Sequence, residues 1–254
     1  MRHKRIIPQF LLKGDRLVKG TAFKDHIDVG DPVSQAMIYD AQGAEEILIV
    51  DIEATTQGRI ISPALIERII SKCRLPVAAG GGVRSLADAR SLFRSGADKV
   101  VLNSGAVEVE VLVESMAAEF GSQSVLVSLD VCFLPERNDW EVVVRSGAMR
   151  TGIMISEAID KAVRSGAGEI LLTSIDREGT LNGFDCALYK HVQPLIPVPF
   201  VAGGGAGCYD HIVELFDTTS VDACGLGKML ALRDYDIVRI KSYLHGRGIA
   251  VRDA

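Results

Sequence analysis

The sequence predicts a single α/β domain over residues 1–254, closed as a (β/α)₈ TIM barrel. Three observations carry that prediction: short apolar runs alternate with stretches of helical spacing, the dipeptide GlyAla recurs just ahead of strands, and two landmarks repeat at one offset. EILIVD at 46–51 and EILLTS at 169–174 lie 123 positions apart, as do the GGG runs at 80–82 and 203–205. A shared offset at two unrelated landmarks implies two half-barrels of four units each, approximately 1–123 and 124–254.

In chain order the predicted strands are 6–12, 47–51, 77–79, 99–102, 125–130, 169–174, 198–202 and 222–224. Helical spacing marks 32–42, 63–72, 86–95, 109–120 and 156–165. Strands alternating with helices feed a parallel sheet, and eight such units close most simply into a barrel. Gly43, Gly96 and Gly166, each followed by Ala, stand where a helix must end in the left-handed conformation that glycine adopts without a Cβ clash.

The N-terminal MRHKRIIPQFLLKGDR has the basic head and apolar run of a signal peptide. Lys13, Asp15 and Arg16 interrupt it and no small-residue cleavage site follows, so it reads as the first strand. Residues 133–144, with LPERND followed by WEVVV, break the rhythm and predict a hairpin or ordered excursion in a strand–helix loop, on the functional face of a barrel. An open doubly wound sheet is disfavoured, because no strand leads into a GxGxxG turn with a distal ribose-binding acid.

With 28 basic and 33 acidic residues the formal charge is -5, which gives no general attraction to nucleic acid or to an anionic membrane. Any anion must therefore be held locally. No apolar run reaches the roughly 18 residues of a membrane span. Five cysteines, odd in number and without a CxxC pair, argue against a disulfide framework or zinc cluster and for reduced thiols in a cytoplasmic chain. The histidines form no HxH or HExxH pattern, and neither metal nor cofactor is expected.

The glycine runs are the first candidate sites. Bare backbone at a strand exit exposes successive N–H groups that can cradle phosphate oxygens. Gly82 belongs to the run after the third strand, and Gly204 and Gly205 to the run after the seventh. The next strand supplies each run with companions: Asn103 and Ser104 for the first, Gly225, Gly227 and Lys228 for the second. Two such sites imply a substrate with a phosphate at each end. A tight loop is the plain alternative for either run alone.

Carboxylates at strand ends come next: Asp51, Asp130, Asp176 and Glu178. Each can cap a turn, but Asp130 ends an apolar strand ahead of the long excursion and is the favoured catalytic acid or base. Arg5, Glu46, Lys99 and Glu169 stand at the starts of strands, at the opposite end of the barrel. They predict salt bridges plugging the barrel bottom, or a ring around a central passage. Lys19 and Phe23 fall in the first loop, where Lys19 suits an anionic substrate and Phe23 a lid.

Over nearly its full length the chain resembles the HisF family, the cyclase subunits of imidazole glycerol phosphate synthase. KRIIP at 4–8, LVKG at 17–20, GDP at 30–32, GADK at 96–99 and the segments 77–84 and 168–180 carry the resemblance. It implies a phosphate-gripping barrel that docks a HisH-like glutaminase on its bottom face and takes ammonia through its centre. That ammonia is condensed with a ribulosyl phosphate aminoimidazole carboxamide nucleotide. By the same resemblance Asp130 matches one of two catalytic aspartates, Gly82, Asn103 and Ser104 one phosphate grip, and Glu178, Gly179, Gly204 and Gly205 the other. Arg5, Glu46, Lys99 and Glu169 match an ammonia gate, Ser146 and Thr173 polar positions of the active face, and Lys19 a substrate-proximal lysine.

Three positions depart from the family. Leu11 occupies the position of the second essential aspartate, Gln9 that of a small Cys, and Lys228 that of a small hydroxyl residue. Leucine has no titratable proton, so two-carboxylate chemistry cannot run by the family's usual route. LeuLeuLys at 11–13 is similar to a branch of HisF paralogues, including WbuZ-like proteins, that accompany a glutaminase and a sugar amidotransferase in surface-polysaccharide pathways. The expected function is therefore an ammonia-channelling synthase subunit in amidation of a sugar or small metabolite. The histidine-pathway cyclase is the first alternative, and a non-enzymatic phosphometabolite-binding scaffold for a glutaminase the second.

Overall fold

In the computed structural model, which describes residues 3–253, the first strand shows how the barrel is built. β1 (Arg5–Lys13) sends Ile7 into an inner apolar layer, and Ile6, Phe10 and Leu12 outward beneath the helices. Both faces are buried, so the strand reads as an almost continuous apolar run. The chain then turns back through β2 (Arg16–Thr21) and β3 (Lys24–Gly30) before α1 (Pro32–Ala41) and β4 (Ile47–Asp51). The first half continues with α2 (Pro63–Ile70), β5 (Val77–Gly80), α3 (Leu86–Arg94), β6 (Lys99–Leu102), α4 (Ser104–Glu108) and α5 (Leu112–Phe120).

The second half runs β7 (Val125–Leu134), β8 (Asp139–Val144), β9 (Met149–Met154), α6 (Ile155–Arg164), β10 (Glu169–Ser174), α7 (Cys186–Val192), β11 (Phe200–Gly203), α8 (Tyr209–Thr218), β12 (Ala223–Leu226), α9 (Lys228–Leu232) and α10 (Ile237–Gly246). β1, β4, β5, β6, β7, β10, β11 and β12 pair in parallel, in that order, and β12 returns to β1. The sheet is thus closed, as predicted. Met1, Arg2 and Ala254, the ends of the predicted span, lie outside the described residues.

Helix ends follow local chemistry. Asp31, Ser62, Ser85, Asp185 and Asp236 accept the N–H three residues on at helix starts, satisfying donors that the helix leaves orphaned. At the other end Gly43, Gly96 and Gly166 all have positive φ, and the following Ala donates back across the last turn to Tyr39, Leu92 and Ala162 at 3.0–3.2 Å. This is the six-to-one closure of a Schellman motif, repeated at three helix–strand junctions.

The structure corrects several predicted boundaries. The first loop holding Lys19 and Phe23 is instead the antiparallel pair β2–β3 (described above), with Lys19 inside a strand. The fifth strand runs on to Leu134, and the predicted excursion grows into the ladder β7–β8–β9. Each half-barrel therefore carries a hairpin extension after its first strand. The seventh and eighth strands start two and one residues later than predicted and end one and two residues later. The helix expected at 109–120 divides into α4 and α5.

The barrel interior is layered. Ile7, Leu48, Ala78, Val101, Leu126, Leu171, Val201 and Ala223 supply one apolar residue from each strand and form a separate buried cluster. The layer below is charged, and the one above opens into a cavity.

Candidate active site

At the bottom of the barrel four charges close a ring. The guanidinium of Arg5 bonds Glu46 at 3.0 Å and also pairs with Glu169, while the Lys99 ammonium reaches Glu46 at 2.9 Å and Glu169 at 2.6 Å. Signs alternate around the ring, so each carboxylate is held between two cations. Burial opposes the Lys99 charge, yet the two carboxylates outweigh it and leave its pKa raised. Burial likewise raises the Glu46 carboxyl, against the pull of Lys99 and Arg5. A shallow cavity lined by His3, Arg5, Lys99, Gln123, Glu169 and Asp222 lies on this face.

At the opposite end, beyond the apolar layer, a cleft enclosing about 970 Å³ and open to solvent is lined by Leu11, Asp130, Thr173 and Glu178. Gly82, Asn103, Ser104 and Ser146 line the same cleft. Asp130 is its central carboxylate. Burial pushes its pKa up to about 7, with Glu178 adding to the rise, while the Asn103 amide and Thr173 hydroxyl hold it down. Asn103 Nδ2 donates to Asp130 Oδ2 at 2.9 Å and to the Ser128 carbonyl at 3.1 Å, so its side chain orients the carboxylate.

The register places Leu11 at the matching position of the other half. Leu11 pairs with Val50 and Asp130 with Thr173, and Val50 and Thr173 are separated by the same 123 positions as the sequence landmarks. The site is consequently lopsided: Leu11, Val50 and Ile52 make one wall apolar, and Asn103, Ser128, Asp130 and Thr173 make the facing wall polar.

A second, smaller recess beside this cleft is lined by Glu178, Gly179, Gly204, Gly205, Gly225, Gly227 and Lys228. The N–H groups of Gly82, Gly204 and Gly205 donate to no protein acceptor among the described residues. Packing adds a second requirement for glycine: a Cβ at Gly82 would fall 1.8 Å from the Arg59 carbonyl oxygen, and one at Gly205 2.1 Å from that of Gly183. The Tyr189 hydroxyl donates to the Gly203 carbonyl at 2.7 Å and fixes the start of the second run from behind. Asn103 and Gly227, ahead of the short helices α4 and α9, share nearly the same unusual backbone, φ −116° with ψ −96° and φ −112° with ψ −92°.

Lys19 is buried, with its ammonium 2.5 Å from the Gln9 carbonyl oxygen, and burial lowers its pKa to about 8 against the pull of Glu178. Lys228 donates to the Thr21 hydroxyl at 2.6 Å, and Glu178 feels both ammonium groups. Burial nevertheless leaves the Glu178 carboxyl raised. Thr21 was not singled out from sequence.

Other candidates are engaged elsewhere. Asp51 borders the cleft but accepts from the Glu53 and Ala54 amides and from Arg59, and Asp176 accepts from the Phe133 amide and serves its loop. Ser104 Oγ accepts the Arg145 amide, and the Ser146 hydroxyl donates to the Ile52 carbonyl at 2.7 Å. The latter contact draws the β8–β9 turn over the cleft, where a Cβ at Gly147 would lie 3.1 Å from the Phe23 ring. The tips of the two hairpin extensions thus meet across the mouth.

Comparison with known proteins agrees with this architecture. A family model described as histidine biosynthesis protein matches residues 5–236. The imidazole glycerol phosphate synthase subunit HisF of Clostridium beijerinckii is 39% identical over 252 residues, covering 99% of this chain and 100% of that one. The HisF subunits of Bacillus licheniformis and Geobacillus kaustophilus are 40% and 39% identical over 249 residues, each covering 98% of this chain and 99% of the relative.

Proposed function

The chain belongs to the histidine biosynthesis protein family, among its HisF-like members, and from that premise we propose that it is the ammonia-using synthase subunit of an imidazole glycerol phosphate synthase-type enzyme. This gives the cyclase reaction priority over the amidation expected from Leu11, because the relatives named for that synthase match the chain end to end. A HisH-like glutaminase docks over the charged ring and supplies ammonia. The ring of Arg5, Glu46, Lys99 and Glu169 gates it, and the substrate is the ribulosyl phosphate aminoimidazole carboxamide nucleotide.

One observation carries this reading: along a single barrel axis lie a charged ring, an apolar sleeve, and a cleft whose central carboxylate Asp130 sits near two glycine-walled recesses. The recess of Gly82 and Ser104 takes one phosphate, and that of Gly204, Gly205, Gly227 and Lys228 the other. Lys19 and Lys228 offset the charge of Glu178 beside the second. Addition of ammonia to a carbonyl carbon and later expulsion of the carboxamide nucleotide each move a proton. Asp130 takes it up in the first step and returns it in the second, a double duty suited to a carboxyl whose pKa is about 7.

The test is to supply purified protein with ammonia and the nucleotide. Slow formation of imidazole glycerol phosphate is expected, lost in Asp130→Asn and raised roughly 10²- to 10⁴-fold in Leu11→Asp, the usual worth of a positioned acid–base group. No product from the unchanged chain would contradict the reading. The apolar wall around Leu11 favours a second function, delivery of ammonia for amidation of a sugar or other small metabolite with a separate amidotransferase. Stimulation of the glutaminase without any imidazole product would select it. A scaffold without ammonia transfer would do neither.

A further inference from the structure

Inward-facing residues of a strand recur every second position, so Arg5, Ile7, Gln9 and Leu11 of β1 climb one wall of the barrel from ring to cleft. Gln9 stands directly above the apolar layer, where a long side chain would ordinarily obstruct the axis. Glycines relieve that obstruction. A Cβ at Gly225 would fall 2.3 Å from Gln9 Nε2 and 2.5 Å from its Cδ, and one at Gly203 would fall 3.3 Å from Nε2. The Gln9 side chain therefore lies flat in the space that β11 and β12 leave open, lining the wall of the passage.

The Gln9 side-chain amide forms no hydrogen bond with a protein group among the described residues, while its backbone carbonyl accepts from the Lys19 ammonium. It borders the cleft together with Leu48, Val101 and Leu171 of the apolar layer, level with Ser128, which pairs with Leu171 as Gln9 pairs with Leu48. Thr173 is its next polar neighbour: the hydroxyl lies 2.9 Å and the Gln9 amide nitrogen 3.3 Å from the same Cβ position over Gly203. Thr173 in turn pairs in register with Asp130. Polar groups thus step from Gln9 through Thr173 to Asp130 along one side of the interior.

We propose that Gln9 is the station at which ammonia leaving the apolar layer is first hydrogen-bonded, with its amide oxygen accepting an ammonia N–H and Thr173 leading on to the reacting carbon. The inference rests on the ammonia-using reading of the same site and names the residue that positions the nucleophile. An ammonia molecule crossing eight apolar side chains has shed its hydrogen bonds, and a carbonyl-type acceptor restores one without taking a proton. Gln9 does this without charge, leaving the lone pair free.

Two measurements test it. The side-chain amide signals of Gln9, followed by nuclear magnetic resonance on the unchanged protein and assigned by their disappearance in Gln9→Leu, should shift saturably with ammonium chloride at alkaline pH. Matched sodium chloride should leave them in place. A linear or absent response would overturn the proposal, and this reading needs no turnover, so it stands apart from failure of the synthase assignment. In the synthase assay, Gln9→Leu should raise the KM for free ammonia about tenfold, the worth of one hydrogen bond, with kcat changed less than the KM. An unchanged KM would overturn it. A fall in kcat alone would do the same, since it would place Gln9 in structural support of Asp130.

Discussion

At residue scale the site turns on position 11, where register sets a leucine at the place that matches Asp130 in the other half of the barrel. In the proposed reaction no second carboxylate faces Asp130 from that position, and Asp130 alternates between acid and base. Its raised pKa also has a consequence for stability. A carboxyl that holds its proton more tightly folded than unfolded favours the folded state below its ordinary value of 3.8, and that contribution is lost as pH rises to about 7. Asp130→Asn, which cannot ionise, should therefore raise the melting temperature near about pH 8 and lose its advantage near about pH 4, with a difference on the order of a few kcal/mol. A variant equally or less stable at the higher pH would show that the ionised carboxylate is well compensated in place.

Among elements, the helix–strand junctions were the most legible, because their chemistry is local. GlyAla at 43–44, 96–97 and 166–167 marks three Schellman closures, and Gly43→Ala should cost about 1–2 kcal/mol by urea denaturation, the penalty of a Cβ in the left-handed region. The β2–β3 pair was illegible for a matching reason. Its turn residues Ala22 and Phe23, and Asp25 at the start of β3, have positive φ without the Asn-Gly or Asp-Gly signal, and β3 is largely exposed, so no apolar alternation announces it. Lys19 consequently read as a loop cation, although the hairpin folds it beneath the cleft. Gln9 was visible as an odd residue, yet its position on the axis followed from period-two counting along β1. The Lys228–Thr21 bond joins residues 207 positions apart, and no local pattern foreshadows it.

The whole molecule is organised along its axis, and the ring at its base is the step that only a closed barrel can assemble, since Arg5, Glu46, Lys99 and Glu169 come from four strands or their leading residues. Removing one cation should alter passage more than chemistry. Lys99→Ala should reduce glutamine-dependent product formation several-fold more than formation from free ammonia, and equal losses in both assays would mean general damage from two carboxylates left short of a partner. The sequence offset of 123 positions implied two-fold organisation, and Val50 and Thr173, the register partners of Leu11 and Asp130, stand at that offset. In the proposed function this repetition provides two cradles of unbonded backbone amides for the two ends of one substrate. A crystal structure with inorganic phosphate is its most direct test: anions should occupy both recesses, within hydrogen-bonding distance of the Gly82 amide in one and of the Gly204 or Gly205 amide in the other. Both recesses empty, with those amides bonded to protein, would contradict it.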